Sequence, residues 1–152
     1  MSENELTNAY LATQVMTASP EQLRMLLLEG SVRFARQAKD GLERNDHEAA
    51  HSGFTQCRNI VLELISTIRP EAAPELADRV KALYTFFYQE LVESSFQKDP
   101  ARVGKIIELL EYEVETWRLL LDELAQKGET TPVQDAPAPT GTDGASSLSI
   151  QA

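Results

Sequence analysis

The sequence predicts an all-α protein, an antiparallel four-helix bundle with an N-terminal arm and a disordered C-terminal tail. Three observations carry this. Between residues 20 and 127 apolar side chains recur every three to four positions, the spacing of one helix face. Glycine and proline are sparse inside that span, and no turn dipeptide flanked by alternating apolar residues marks a hairpin. Beyond Gly128 the composition shifts to Pro, Gly, Ser, Thr and Ala, which bury too little apolar surface to offset the entropy of ordering. The expected boundaries are an arm at 1–19, a bundle at 20–127 and a tail at 128–152. A chain of 152 residues fits one core.

The first bundle helix has a sharply specified start. Ser19 suits the N-cap, Pro20 the first helical position, and Gln22 the third position of a capping box. The helix is expected to reach about Arg44, with Leu23, Leu27, Gly30, Phe34, Ala38 and Leu42 facing the core. Asn45-Asp46 interrupts it. The second helix then runs to about Ile68 on a stripe of Ala50, Phe54, Cys57, Val61, Leu64 and Ile68, and Arg69-Pro70 stops it. The third spans about Pro74 to Gln97 with Leu76, Val80, Leu83, Phe87 and Leu91 inward. Asp99-Pro100 reads as the cap and first residue of the fourth. That helix carries Val103, Ile106, Ile107, Leu110, Val114, Trp117, Leu121 and Leu124 and ends near Gly128. Helices of about 25 residues are ~37 Å long, and their short connections favour antiparallel neighbours.

Charge narrows the function. With 24 acidic against 14 basic residues, a net charge of -10 and no basic cluster, nucleic acid and anionic membrane are poor partners. The N-terminus lacks the basic and apolar regions of a signal peptide, and no apolar run approaches the ~20 residues of a membrane span. A cytoplasmic protein without membrane insertion is therefore expected. Cys57, the single cysteine, falls on an apolar stripe and reads as a buried small hydrophobe.

His47-Glu48-Ala49-Ala50-His51 spells H-E-x-x-H, the helical spacing that holds zinc and a general base in metallopeptidases. A catalytic zinc needs a third protein ligand, and these are the only histidines. Phe54 and Cys57 stand where the metzincin extension has Gly and His, and Glu63 lies several turns away. The string reads as a solvated helix start, with no catalytic residue, metal or cofactor. A zinc peptidase is the most distant alternative.

Apolar surface in excess of one face per helix is the remaining signal. Met25, Leu28 and Val32 lie off the stripe of the first bundle helix, Ile60 and Ile65 off the second, Tyr84, Phe86 and Tyr88 off the third, and Leu109, Tyr112, Leu119 and Leu120 off the fourth. They thicken the core or line grooves that receive amphipathic helices of a partner, where aromatic and Met side chains supply adaptable contact area. In the arm, Ala9, Tyr10, Val15 and Met16 are too few to nucleate a stable helix alone, yet enough to cover an apolar groove.

The run Asn8 to Leu23 resembles the N-terminus of the flagellar secretion chaperone family FliS. Gly30 and Phe34, Leu83-Tyr84, Tyr88, Leu91, Lys98-Asp99 and Glu115-Thr116-Trp117 are similar to its later landmarks, so the resemblance covers roughly residues 4 to 127. Leu28-Glu29 stands where the family pattern has Tyr-Asp. The resemblance implies a cytoplasmic export chaperone, not an enzyme. Such a protein binds the C-terminal segment of flagellin, prevents premature polymerisation and delivers its client to an export-gate protein of the flagellar type III apparatus. Together with the surplus apolar pattern, it nominates Asn8, Tyr10, Val15, Met25, Leu28, Val32, Tyr84, Phe86 and Tyr88 as partner-binding residues. Tyr10 is tied to client binding and handover. A general helical adaptor with another client would share the same bundle.

Overall fold

The structure, a computed structural model, describes residues 2–71 and 73–130. The disorder expected of the tail falls, beyond Thr130, outside the described residues. Among these the chain is all-α, with five helices and no strand: α1 Glu3–Thr17, α2 Pro20–Glu43, α3 His47–Ser66, α4 Pro74–Gln97 and α5 Pro100–Thr130. It divides into two compact units, Met1–Trp117 and a second beginning at Arg118.

The helix ends follow local chemistry. Gln22 N donates to Ser19 Oγ at 3.2 Å and Ser19 N donates to Gln22 Oε1 at 3.1 Å, the reciprocal box that starts α2. At its other end Asn45 takes up φ 57°, a left-handed value that asparagine tolerates. Asp46 then accepts from Ala49 N at 3.1 Å and caps α3. Asp99 Oδ1 accepts from Ala101 N and Arg102 N at the start of α5.

The first unit pairs its helices through close approach. A Cβ on Gly53 would stand 2.6 Å from Ala38 N and 2.7 Å from the Phe34 carbonyl, and one on Gly41 would stand 2.6 Å from Ala50 N. The α2 and α3 backbones therefore touch, and the pairs 41/50 and 38/53 run in opposite directions. Tyr84 with Glu113 and Glu90 with Arg102 orient α4 against α5 in the same antiparallel sense. Glu21 with Trp117 and Lys39 with Gly104 do so for α2 and α5. Leu28, Phe54, Val61, Leu64, Tyr84, Phe87, Leu91, Ile106 and Leu110 fill the interior between them.

Three expectations change. The arm, whose few apolar residues were not expected to nucleate a helix alone, is helical: α1 has 15 residues and is begun by a capping box between Ser2 and Glu5. On α2 the deepest residues are Leu28, Ala35 and Ala38, with Met25 and Val32 beside them, while Leu23, Leu27, Phe34 and Leu42 are only half-buried. The reason is geometric, because α2 lies against α3 on one side and α5 on the other and so buries an arc wider than a single stripe. Leu76 is exposed in the first turn of α4, where nothing covers it among the described residues. Leu124, on α5 in the second unit, is also exposed.

Candidate functional site

The nine nominated residues separate into two groups. Asn8, Tyr10 and Val15 are exposed on α1, Tyr10 by 65%, and Phe86 is 45% exposed on α4. Met25, Leu28, Val32 and Tyr84 are buried, Leu28 completely, and Tyr88 is half-buried. These four buried side chains pack the core instead of forming a surface. Leu28 and Val32 were placed off the stripe by a one-face pattern, and the two-sided burial of α2 is what draws them in.

Tyr84 shows how thoroughly one such residue is used. Its hydroxyl donates to Glu113 Oε2 at 2.8 Å, and its ring stacks on Phe87 with centroids 5.8 Å apart. Burial, with the Glu113 carboxylate beside it, drives the phenol well above its ordinary pKa, so it stays protonated as a donor.

No residue of α1 is buried, and Leu6, Tyr10, Val15 and Met16 all face solvent. A helix this short, without a core, is marginal in water. Its apolar residues are available to a partner or to another face of this chain.

A second apolar surface lies along α4 and α5. Glu90 and Arg102 meet across these helices at 2.8 Å, and Tyr84 meets Glu113. Phe86 is one turn before Glu90. Leu109 is two turns after Arg102 and one turn before Glu113, so both share the facing sides. The same register sets Phe86 opposite Leu109, and both are exposed, as is Tyr112 three residues on. Phe86, Leu109 and Tyr112 are thus uncovered apolar side chains near one level of the α4/α5 pair, with the Glu90–Arg102 pair toward one end. Arg102 holds the Glu90 carboxyl below its ordinary range, which keeps that pair ionised. Sequence reasoning noticed Leu109 and Tyr112 as surplus without joining them to Phe86, because the join depends on helix register.

Where the arm meets α2 there is a cavity of about 890 Å³. Leu23, Leu27 and Ile68 supply apolar wall, and Ala18 and Pro20 form the edge nearest the arm. Arg24 Nη2 donates to Thr67 Oγ1 at 2.7 Å and its guanidinium lies 5.5 Å from the Trp117 ring centroid. Trp117 Nε1 donates to the Glu21 carbonyl at 2.9 Å. Arg24 and Trp117 thus have fixed positions, and the cavity is a preformed shape.

His47 and His51 are exposed in the first turns of α3, and the described residues bring together no group of three or more His, Cys, Asp or Glu placed to hold a metal. Cys57 is fully buried, donates through Sγ to the Ser31 carbonyl at 3.3 Å, and has its thiol pushed by burial up to about 12. None of the described helices is long and apolar enough to cross a membrane.

Known proteins are similar to this chain in sequence. The family model described as Flagellar protein FliS matches residues 2–123. The flagellar secretion chaperone FliS of Campylobacter jejuni subsp. jejuni serotype O:6 is 30% identical over 118 residues, 78% of this chain and 92% of its own. That of Bacillus subtilis is 29% identical over 98 residues, 64% of this chain and 72% of its own. That of Salmonella typhimurium is 27% identical over 105 residues, 68% and 78%. With a family model spanning residues 2–123 and a relative 30% identical that is covered over 92% of its length, the protein belongs to the FliS family of flagellar proteins.

Proposed function

We propose that this protein is a cytoplasmic export chaperone that binds the C-terminal segment of flagellin, prevents its premature polymerisation and delivers it to the flagellar type III export apparatus. Membership in a family whose curated relatives are named secretion chaperones supports a flagellar protein as client. The observation that carries the finer reading is the set of uncovered apolar side chains, Phe86, Leu109 and Tyr112 on α4 and α5 and Leu6, Tyr10, Val15 and Met16 on α1. An amphipathic client segment that orders on binding would bury both, and its ordering cost keeps the complex reversible. In this reading α2, α3, α4 and α5 as far as Trp117 form a closed antiparallel four-helix bundle, and residues 1–19 act as a mobile cover and handover arm. Handover to an export-gate protein uses the arm, with Tyr10 at its centre.

Calorimetric titration of the full chain with flagellin from the same cell tests this. The expected result is a one-to-one complex with a negative heat-capacity change, lost when flagellin lacks its C-terminal segment. Truncating Phe86 and Leu109 to Ala removes about 1 kcal/mol of covered apolar surface each, roughly 30-fold in affinity for the pair. Because each is more than half covered within the fold, the melting temperature falls somewhat, and affinity is compared at a temperature where both variants remain folded. Tyr10→Ala is expected to change client affinity or delivery and not stability. Absence of a complex at micromolar concentration, together with undelayed filament assembly, would refute the assignment and leave a helical adaptor for another client.

A further inference from the structure

The two histidines of the H-E-x-x-H string border a second cavity. It has a volume of about 420 Å³ and lies between the start of α3 and the end of α4, well apart in sequence from Phe86 and Leu109. Leu42, Ala50 and Phe54 form an apolar floor. His47, His51, Arg58 and Lys98 stand around it, and Phe96, 79% exposed, forms an aromatic rim. No acidic residue lines the cavity.

That absence matters on a chain of net charge -10. Of the carboxylates close in sequence, Glu43 pairs with Lys39, Asp46 with the Ala49 cap and Arg44, Glu93 with Gln97, and Asp99 with the start of α5, while Glu48 is exposed beside His47 and does not line the cavity. The Arg58 and Lys98 side chains have neither an ion pair nor a hydrogen bond among the described residues. Lys98 also sits at φ 53°, ψ 46°, a left-handed helix end where glycine fits without strain. The chain thus holds a lysine in a disfavoured conformation at the edge of an acid-free apolar hollow.

We propose that this cavity is a second peptide-binding site, taking an acidic segment of a partner protein that sets one apolar side chain on Phe54 and Phe96 and its carboxylates on Arg58 and Lys98. An Arg fork and a Lys point charge suit two separate carboxylates, and the partial positive charge of the α3 N-terminus adds to them. A bare anion has no use for the aromatic floor. A long polyanion meets the acidic remainder of the surface, whereas a short acidic segment is shielded from it, because at physiological ionic strength charges beyond about 8 Å are largely screened.

Fluorescence anisotropy on the full chain tests the site with a labelled, end-blocked peptide Asp-Glu-Phe-Glu-Asp. Its comparators carry Ala in place of Phe, or Lys in place of every acid. The acidic aromatic peptide is expected to bind at least tenfold tighter than either, with affinity falling as salt rises. Arg58→Gln and Lys98→Gln should each weaken it about tenfold. Lys98→Gly should do the same while raising the melting temperature, which separates lost binding from lost fold. Flagellin titration is expected to be unchanged in all three variants, so failure here and failure of the chaperone reading are distinguishable. Equal binding of the Ala comparator, with competition by millimolar inorganic phosphate, would make this an anion site and overturn the proposal. So would affinity unaffected by Arg58→Gln, or no binding of the peptide at all.

Discussion

Gly53→Ala tests the closest contact in the fold. The added methyl would meet Ala38 N at 2.6 Å and the Phe34 carbonyl at 2.7 Å, and both are backbone atoms that no rotamer change can move. Relief requires α2 and α3 to part by about 0.8 Å, a gap at which dispersion contacts along the interface lose a quarter to a half of their attraction. Overpacking of this kind costs about 3 kcal/mol at its upper range, and the better helix propensity of alanine returns about 1 kcal/mol. The expected net loss is about 2 kcal/mol, or about 8 °C in melting temperature for a chain of this size. Gly104→Ala is the internal control. Its methyl meets only the end of the Lys39 side chain at 3.3 Å, which can swing away, so the propensity gain should survive as stabilisation of about 0.5–1 kcal/mol. Urea unfolding followed by circular dichroism measures both. A neutral or stabilising Gly53→Ala would show that α2 and α3 are not in backbone contact, and the packing argument would fall.

Other expectations follow from single groups. Ser19→Ala removes the acceptor of the α2 box and should cost about 1 kcal/mol by the same denaturation assay, while Gln22 loses its reciprocal role. Tyr84→Phe leaves the half-buried Glu113 carboxylate without this donor and should cost about 1.5 kcal/mol. Because the folded Tyr84 phenol and Cys57 thiol both titrate above their unfolded values, the unfolded chain ionises first, so stability should fall as pH rises above about 9. Tyr84→Phe should flatten that decline above pH 10, as read from urea midpoints. Cys57 should resist thiol-specific labelling at pH 8 in the native protein and react at once in denaturant; rapid native labelling would contradict its burial.

Much of the candidate site was hidden in the sequence for a stated reason. Phe86 and Leu28 look alike as surplus apolar residues, yet one is 45% exposed and the other has no exposed surface. What separates them is which neighbours each helix has, and a helical repeat does not reveal that. Leu109 joins Phe86 only through the α4/α5 register set by Glu90 with Arg102 and Tyr84 with Glu113, contacts between residues 12 and 29 positions apart. The cavity beside His51 needs α3 and the end of α4 together. The H-E-x-x-H string by itself shows only that two imidazoles share a face.

Helix ends were determined by the sequence itself, because caps depend on residues within one turn. Ser19-Pro20, Asp46, Pro74 and Asp99-Pro100 each start a helix within a residue of the expected position. The same holds for Ala50, Phe54, Cys57, Val61 and Leu64 of the expected α3 stripe, all buried as the period requires, while Ile68, its last member, lies beyond the end of α3 and is half-buried. Family membership was legible too, from a dense run of local landmarks. The helix of the arm, with its local Ser2 and Glu5 box and no core, belongs to the same local signals, whereas tertiary structure alone decided that α2 turns Leu28 and Val32 inward and that Phe86, Leu109 and Tyr112 remain uncovered. Periodicity specifies that a helix has an apolar side; how wide that side is, and which part of it meets solvent, is set by the helices packed around it.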